Sequence, residues 1–215
     1  TGATVSSIQI YRKHRFKVKP ATIRHELHEL SERDFLDQPY TSGGRIPTDK
    51  AYRFLVERIF EALPDASFGD RSALGSARDD LERGAVRDLV AGVSGALRAV
   101  GVGYGSVGAC VKSGLDELID ELIAYGELKD MREVAAVVRD VEMIDERIED
   151  MLNFLSGDRP RVFIGRSPIT KSPHLSVIAD QFDVQGRPFV LAAVGSKHMD
   201  YGNNITFFVR LKSRS

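Results

Sequence analysis

The run Pro20-Ala21-Thr22-Ile23-Arg24-His25-Glu26-Leu27, followed shortly by Thr41-Ser42-Gly43-Gly44-Arg45-Ile46-Pro47-Thr48-Asp49, constrains this chain more than any other feature. Pro20 suits a first helical turn, where its fixed φ and missing N–H cost nothing. Lys19 before it is a poor N-cap, so the helix start is imperfect. Ile23, Leu27 and Leu30 fall at i, i+4 and i+7 and predict one buried stripe. That stripe turns Thr22, Arg24, His25, His28 and Glu29 outward. The second run predicts a hairpin: short strands at Phe35–Pro39 and Arg45–Pro47, with Gly43 and Gly44 in the tip. Both prolines suit edge strands, because they cannot donate to a central ladder. Thr48 then caps a helix running from Asp49 to about Leu63, with Asp49 well placed in its first turn.

A helix followed at once by a basic hairpin is the layout of a winged helix on DNA. Residues 1–25 contain Arg12, Lys13, Arg15, Lys17, Lys19 and Arg24 and no acid. Such a surface suits phosphates. Thr22 and Arg24 lie early in the helix, where helix-turn-helix proteins meet base edges. Arginine can grip guanine through two hydrogen bonds, and threonine can meet a thymine methyl. Ala21, His25 and His28 complete the helix candidates. In the wing, Arg45 is expected to leave the tip aimed outward, with Thr41 and Ser42 as hydroxyl donors. Lys13, Arg15, Lys17 and Lys19 are the backbone-contact candidates. The plain alternatives are an amphipathic surface helix and a polar hairpin with no ligand.

The segments PATIRHELHEL, DFLDQPYTSGGRIPTDKAYRFLV and GRPFVLAAVGSKHMDYGNNI resemble the heat-inducible transcription repressor HrcA family, with KSGLDEL as a further matching island. The resemblance covers residues 1–60 well and about 160–205 moderately. It implies a repressor of chaperone genes that binds an inverted-repeat operator as a homodimer, in the cytoplasm, with support from a GroEL-type chaperonin. It also implies a winged helix joined to a GAF-like domain that carries an inserted dimerisation domain. By matching position, Thr22, Arg24 and His25 become operator-helix candidates and Arg45 a wing candidate. Three departures stand out. The chain starts at Thr1 with Met131 as its first methionine, so the first winged-helix helix is expected to be missing. The middle is short for the family, which puts the dimerisation insert in doubt. A longer closing helix than residues 202–215 is also expected.

The expected fold is therefore α+β, an N-terminal winged helix-turn-helix followed by a reduced GAF-like α+β domain. The expected division is 1–63 for the DNA-binding domain, 64–95 for a linker and helical connector, and 96–215 for the reduced GAF-like domain. Charge follows the same division. Residues 1–60 carry 11 Lys and Arg against 7 Asp and Glu, residues 61–159 carry 11 against 21, and residues 160–215 carry 8 against 3. The acidic middle repels phosphates, which confines DNA contact to the first segment.

Downstream, helical patterning runs from about Arg71 to Val100, weakened by Gly75, Gly84, Gly92 and Gly95. The run Gly101-Val102-Gly103-Tyr104-Gly105-Ser106-Val107-Gly108 looks like a phosphate loop but lacks the Gly-Lys-Ser/Thr ending. A glycine-rich strand is the better reading. Val134, Val137, Val141, Ile144, Ile148, Met151 and Leu155 form a heptad seam. It suits either a helix paired with its copy or, preferably, one packed on its own sheet. Residues 161–165, 175–183 and 188–195 predict strands, with a turn at 185–188.

No enzyme is expected. There is no Gly-x-Ser-x-Gly elbow, and Cys110 has no evident base. His25 and His28 lack a third ligand for zinc, so neither metal nor cofactor is expected. A single cysteine excludes an internal disulfide and suits a reducing compartment. No apolar run is long enough to span a membrane. The alternative function is a ligand- or protein-sensing module whose winged helix contacts protein.

Overall fold

The computed structural model describes residues 4–14, 16–39, 44–63, 69–105 and 110–213. The chain divides into two compact units, Thr1–Arg58 and Ile59–Ser215.

In the first unit, α1 (Ser7–His14) and α2 (Pro20–Glu32) precede a two-stranded antiparallel ribbon, β1 (Leu36–Asp37) with β2 (Ile46–Pro47). A further helix, α3 (Asp49–Ala62), runs from this unit into the next. Among the described residues the two strands pair at 36–37 and 46–47, a shorter stretch than the strands expected. The expected Thr48 cap forms, with the Ala51 N–H donating to Thr48 Oγ1 at 3.3 Å. Thr48 Oγ1 in turn donates to the Asp34 carbonyl at 2.7 Å, tying the start of α3 to the end of α2. Phe35 packs edge-on against Phe54 at 5.5 Å, and Lys50 Nζ sits 4.8 Å from the Phe35 ring centre.

The second unit is built on a five-stranded antiparallel sheet in the order β4-β3-β7-β6-β5. Its strands are β3 (Val100–Gly105), β4 (Cys110–Ser113), β5 (Arg161–Ile164), β6 (Leu175–Val184) and β7 (Arg187–Ser196). Helices cover both faces. On one face, α6 (Leu115–Ala124), α7 (Met131–Glu142) and α8 (Ile144–Leu152) pack on Val100, Val102, Val177, Val190, Ala192 and Val194. On the other lie α4 (Arg71–Arg83), α5 (Val86–Leu97) and α9 (Tyr201–Lys212), where Phe208 of α9 meets Phe182 of β6 at 6.3 Å. The α+β class is thus as expected.

The glycine-rich run is a strand, and its glycines have a packing reason. A Cβ at Gly101 would lie 2.4 Å from the Val90 carbonyl oxygen, and one at Gly103 2.6 Å from a Val90 methyl. Alternate residues of β3 are glycine because α5 lies almost on the backbone there. Residues 106–109 of the run lie outside the described residues. Residues 71–97, expected within a connector, form α4 and α5 and bury Leu89, Val90, Val93 and Leu97. Gly84, at φ 70°, separates them. Of the linker expected over residues 64–70, residues 64–68 lie outside the described residues, and Asp70 caps α4 by accepting from the Ala73 N–H.

The heptad seam is not one helix. It breaks at Met143, and Val137, Val141, Ile144, Ile148, Met151 and Leu155 all lie in the core against the sheet. These six seam residues are spent on their own sheet, which favours the reading of a helix packed within its domain. The β6–β7 turn is Gln185-Gly186, both at positive φ, the geometry of a tight two-residue hairpin. After Met199, Asp200 caps the twelve-residue α9 by accepting from the Asn203 N–H.

At one end of the sheet a carboxylate lies between two imidazoles. Glu127 Oε1 is 2.6 Å from His198 Nε2, and Oε2 is 3.2 Å from His174 Nδ1. Burial pushes the Glu127 carboxyl up, but the hydrogen bonds from His174 and His198 outweigh it and hold it at about 2, against an ordinary 4.5. The folded state resists a proton that the unfolded chain accepts, so this contribution is complete above pH 4.5 and is lost as pH falls toward 2. Urea unfolding of Glu127→Gln across that window is expected to show a flatter pH profile than the parent chain. Parallel profiles would refute the assignment.

Candidate nucleic-acid interface

The first helix begins with a reciprocal cap that the sequence reading missed. The Ser6 N–H donates to Gln9 Oε1 at 2.7 Å, and the Gln9 N–H donates to Ser6 Oγ at 3.3 Å. This is a capping box, legible as Ser-x-x-Gln. Arg12, Lys13 and His14 occupy the last turn of α1, where cations suit the helix dipole. Lys13 is exposed, as are Lys17 and Lys19 in the segment between the helices. Arg15 lies outside the described residues. Arg12, not among the expected contacts, is also exposed on α1, and the same acid-free run was the signal for it.

In α2, Pro20 stands in the first turn and Lys19 caps with no side-chain bond, as expected. Ile23 is buried and Leu27 half-buried, but Leu30 is 40% exposed, so the expected stripe is shorter than its spacing suggested. The chain turns away just beyond: Asp34 takes a left-handed φ of 58°, and the Phe35 N–H closes onto the Leu30 carbonyl at 2.9 Å. Ala21, Thr22, Arg24, His25 and His28 are all exposed.

The electrostatics of α2 are polarised along its axis. Glu26, Glu29 and Glu32 occupy its later turns, where Glu29 faces Arg33 at 3.8 Å and Glu32 faces His28 at 4.0 Å. The first turns hold Thr22 and Arg24 with no acid, at the end where the helix dipole is positive. His28 therefore sits in a more acidic neighbourhood than Arg24 and His25.

The wing departs from expectation at Arg45. Its side chain does not project outward: Arg45 is half-buried, and its Nε donates to Ser31 Oγ at 2.7 Å. Ser31 itself donates to the Leu27 carbonyl at 3.0 Å, so the arginine is drawn onto the last turn of α2. Arg45 also pairs through its backbone with Val5, with both N–H···O bonds at 3.0 Å, an isolated bridge beside the ribbon. Thr41 and Ser42 lie outside the described residues.

The close approach of Val5 explains Gly44. A Cβ there would fall 2.5–2.6 Å from Val5 backbone atoms. Gly44→Ala is expected to break the Val5–Arg45 pairing and to cost about 1–3 kcal/mol, the usual range for overpacking. Amide exchange at Val5 and Arg45 checks this; unchanged protection in the variant would refute it.

The interface thus gathers Lys13, Lys17, Lys19, Ala21, Thr22, Arg24 and His25 on exposed surface of α1, α2 and the segment between them. Comparison with known proteins adds a likeness. The heat-inducible transcription repressor HrcA of Chloroflexus aggregans is 51% identical over 61 residues, 28% of this chain and 16% of that protein. Those of Thermodesulfovibrio yellowstonii and Frankia casuarinae are 52% identical over 58 residues and 40% identical over 91. Over these residues the chain is similar to HrcA repressors. Each alignment covers only 16–26% of the HrcA relative's own length. No protein-family model matches the chain. A solved structure described as a hypothetical protein matches with a TM-score of 0.68 at 18% identity, over 97% of this chain and 90% of that one, a likeness of fold.

Proposed function

We propose that this chain is a DNA-binding transcriptional repressor of heat-shock genes, of the HrcA family. The observation that carries the reading is the acid-free, cationic exposed surface around the first turns of α2, set on a helix-turn-helix with a short ribbon behind it. Thr22, Arg24 and His25 enter the major groove, and Lys13, Lys17 and Lys19 hold phosphates. The tie from Arg45 to Ser31 gives that arginine a second duty, fastening the wing to α2. The operator is an inverted repeat and the binding form a homodimer, with a chaperonin as regulatory partner. The second unit is read as a reduced GAF-like domain, because a central antiparallel sheet with helices on both faces suits that architecture.

The role requires no catalysis. Burial pushes the Cys110 thiol up to about 12, with Asp145 adding to the shift, so it stays protonated and poorly nucleophilic. Among the described residues no group of three His, Cys, Asp or Glu side chains could hold a metal ion. None of their helices is long and apolar enough to cross a membrane, and the site of action proposed is the cytoplasm.

The deciding measurement is the affinity of the full chain for an inverted-repeat duplex as salt rises. Each neutralised phosphate adds about −0.9 to the slope of log K against log salt, so three to five contacts give a slope of roughly −3 to −5. A flat salt response, or no DNA affinity beside tight binding to a protein, would establish the protein-contact reading instead.

A further inference from the structure

An open-mouthed cavity of about 380 Å³ lies in the second unit, and its lining includes none of the residues proposed for DNA. Its long wall is a single stripe running from α7 into α8: Ala136, Arg139, Asp140, Met143 and Arg147. The facing wall is the segment before β6, with Lys171, Ser172, Pro173 and His174. Val137, buried, adds to the apolar lining that Ala136, Met143 and Pro173 provide.

The charges around it do not cancel. The Asp140 carboxylate is saturated: Oδ1 accepts from Arg147 Nη1 at 2.6 Å, and its oxygens also accept the backbone N–H groups of Lys171 and Ser172 at 2.7–3.0 Å. Glu133 accepts from the Lys129 N–H and keeps one negative charge at the rim, against the positive charges of Arg139 and Lys171. His174 faces Glu127 through Nδ1. Among the described residues Lys171 Nζ bonds the Ser167 and Pro168 carbonyls, at 3.3 and 3.4 Å, and forms no ion pair, so its charge is not neutralised. Among the described residues Arg139 forms no ion pair. Two cations therefore remain open beside an apolar floor. They do so next to a chain segment, residues 61–159, that carries 21 acids against 11 bases. A cationic mouth over an apolar lining, in a volume typical of small-molecule sites, selects an anion with a hydrocarbon body.

We propose that this cavity binds a small amphipathic carboxylate, with its head held by Arg139 and Lys171 and its apolar body laid against Val137, Met143 and Pro173. The proposal goes beyond the DNA-binding reading and stands without it. Arg139 can grip a carboxylate with two parallel N–H···O bonds, while Lys171 supplies a point charge from the opposite wall. Asp140 sets the width of the site, because it clamps α7 to the backbone that carries Lys171.

The test is titration of the full chain with sodium octanoate, followed by the Met143 methyl resonance. Octylammonium serves as the charge-reversed control and 1-octanol as the uncharged one. Saturable movement of Met143 with octanoate is expected, at least tenfold weaker with octanol and absent with octylammonium. Arg139→Ala/Lys171→Ala, both exposed positions, is expected to unfold at the same urea concentration as the parent and to lose octanoate affinity at least tenfold. No saturable response to octanoate, equal affinity for octylammonium, or undiminished octanoate binding in the double variant would each overturn the proposal. None of these readouts involves DNA, so its failure is distinct from failure of the repressor reading.

Discussion

Arg24→Ala is expected to weaken binding to an inverted-repeat operator by about 1–3 kcal/mol and to relax preference at one base position. The residue is exposed in the second turn of α2, on the acid-free end of the helix. A bidentate arginine contact to guanine is lost whole on truncation, because alanine leaves both acceptors unpaired. Lys17→Ala supplies the contrast. Lys17 is exposed between the helices, and the role proposed for it is a phosphate contact. Its loss is expected to weaken all sequences alike and to reduce the salt slope by about 1. Gel shifts on operator and on scrambled duplex at two salt concentrations separate the effects. An equal loss on both duplexes for Arg24→Ala would remove it from base reading and leave it a phosphate contact.

The largest effect on stability is expected at Asp140, far in sequence from that site. This side chain is 8% exposed, and its carboxylate holds Arg147 and two backbone amides at once. Asp140→Ala strands a mostly buried guanidinium and two N–H groups, and is expected to cost about 3–5 kcal/mol in urea unfolding. Asp140→Asn keeps the shape and one acceptor, so it should cost less. Arg147→Met should cost least of the three, because the carboxylate retains its two backbone donors. A destabilisation by Asp140→Ala below about 1 kcal/mol would show that the segment before β6 is held by other contacts.

Much of the first unit was legible in residue order. Pro20 set the start of α2 and Thr48 the start of α3. These are local rules, decided by φ preferences and by side chains reaching a few residues along the chain. Leu30 and Arg45 were misread for one reason. Helical spacing says which residues share a face, not where the neighbouring chain stops covering it. The left-handed turn at Asp34 ends the cover before Leu30, and Ser31 captures the arginine that the hairpin was expected to present.

The second unit divides in the same way. Hairpin β6–β7 was readable, because two apolar runs flank a turn that tolerates positive φ. The seam from Val134 to Leu155 was readable as apolar but not as broken, since a three-four spacing survives a one-residue interruption at Met143. The cavity beside α7 was not readable at all. Its two walls are more than twenty residues apart in sequence, joined only by Asp140 reaching the amides of Lys171 and Ser172.

By itself, then, the sequence determined the likeness to HrcA repressors, the acid-free start of α2, the α+β class and the hairpin that pairs β6 with β7. All of these rest on short-range order: periodicity, turn residues, charge along the chain. Only the tertiary structure decided that glycines 101 and 103 admit α5, that the heptad seam is core, that Arg45 braces the wing, and that Asp140 clamps a cationic cavity. Each of those depends on which distant segments meet, and the free energy of such meetings is set by close packing and by saturation of buried polar groups, neither of which is written in local order.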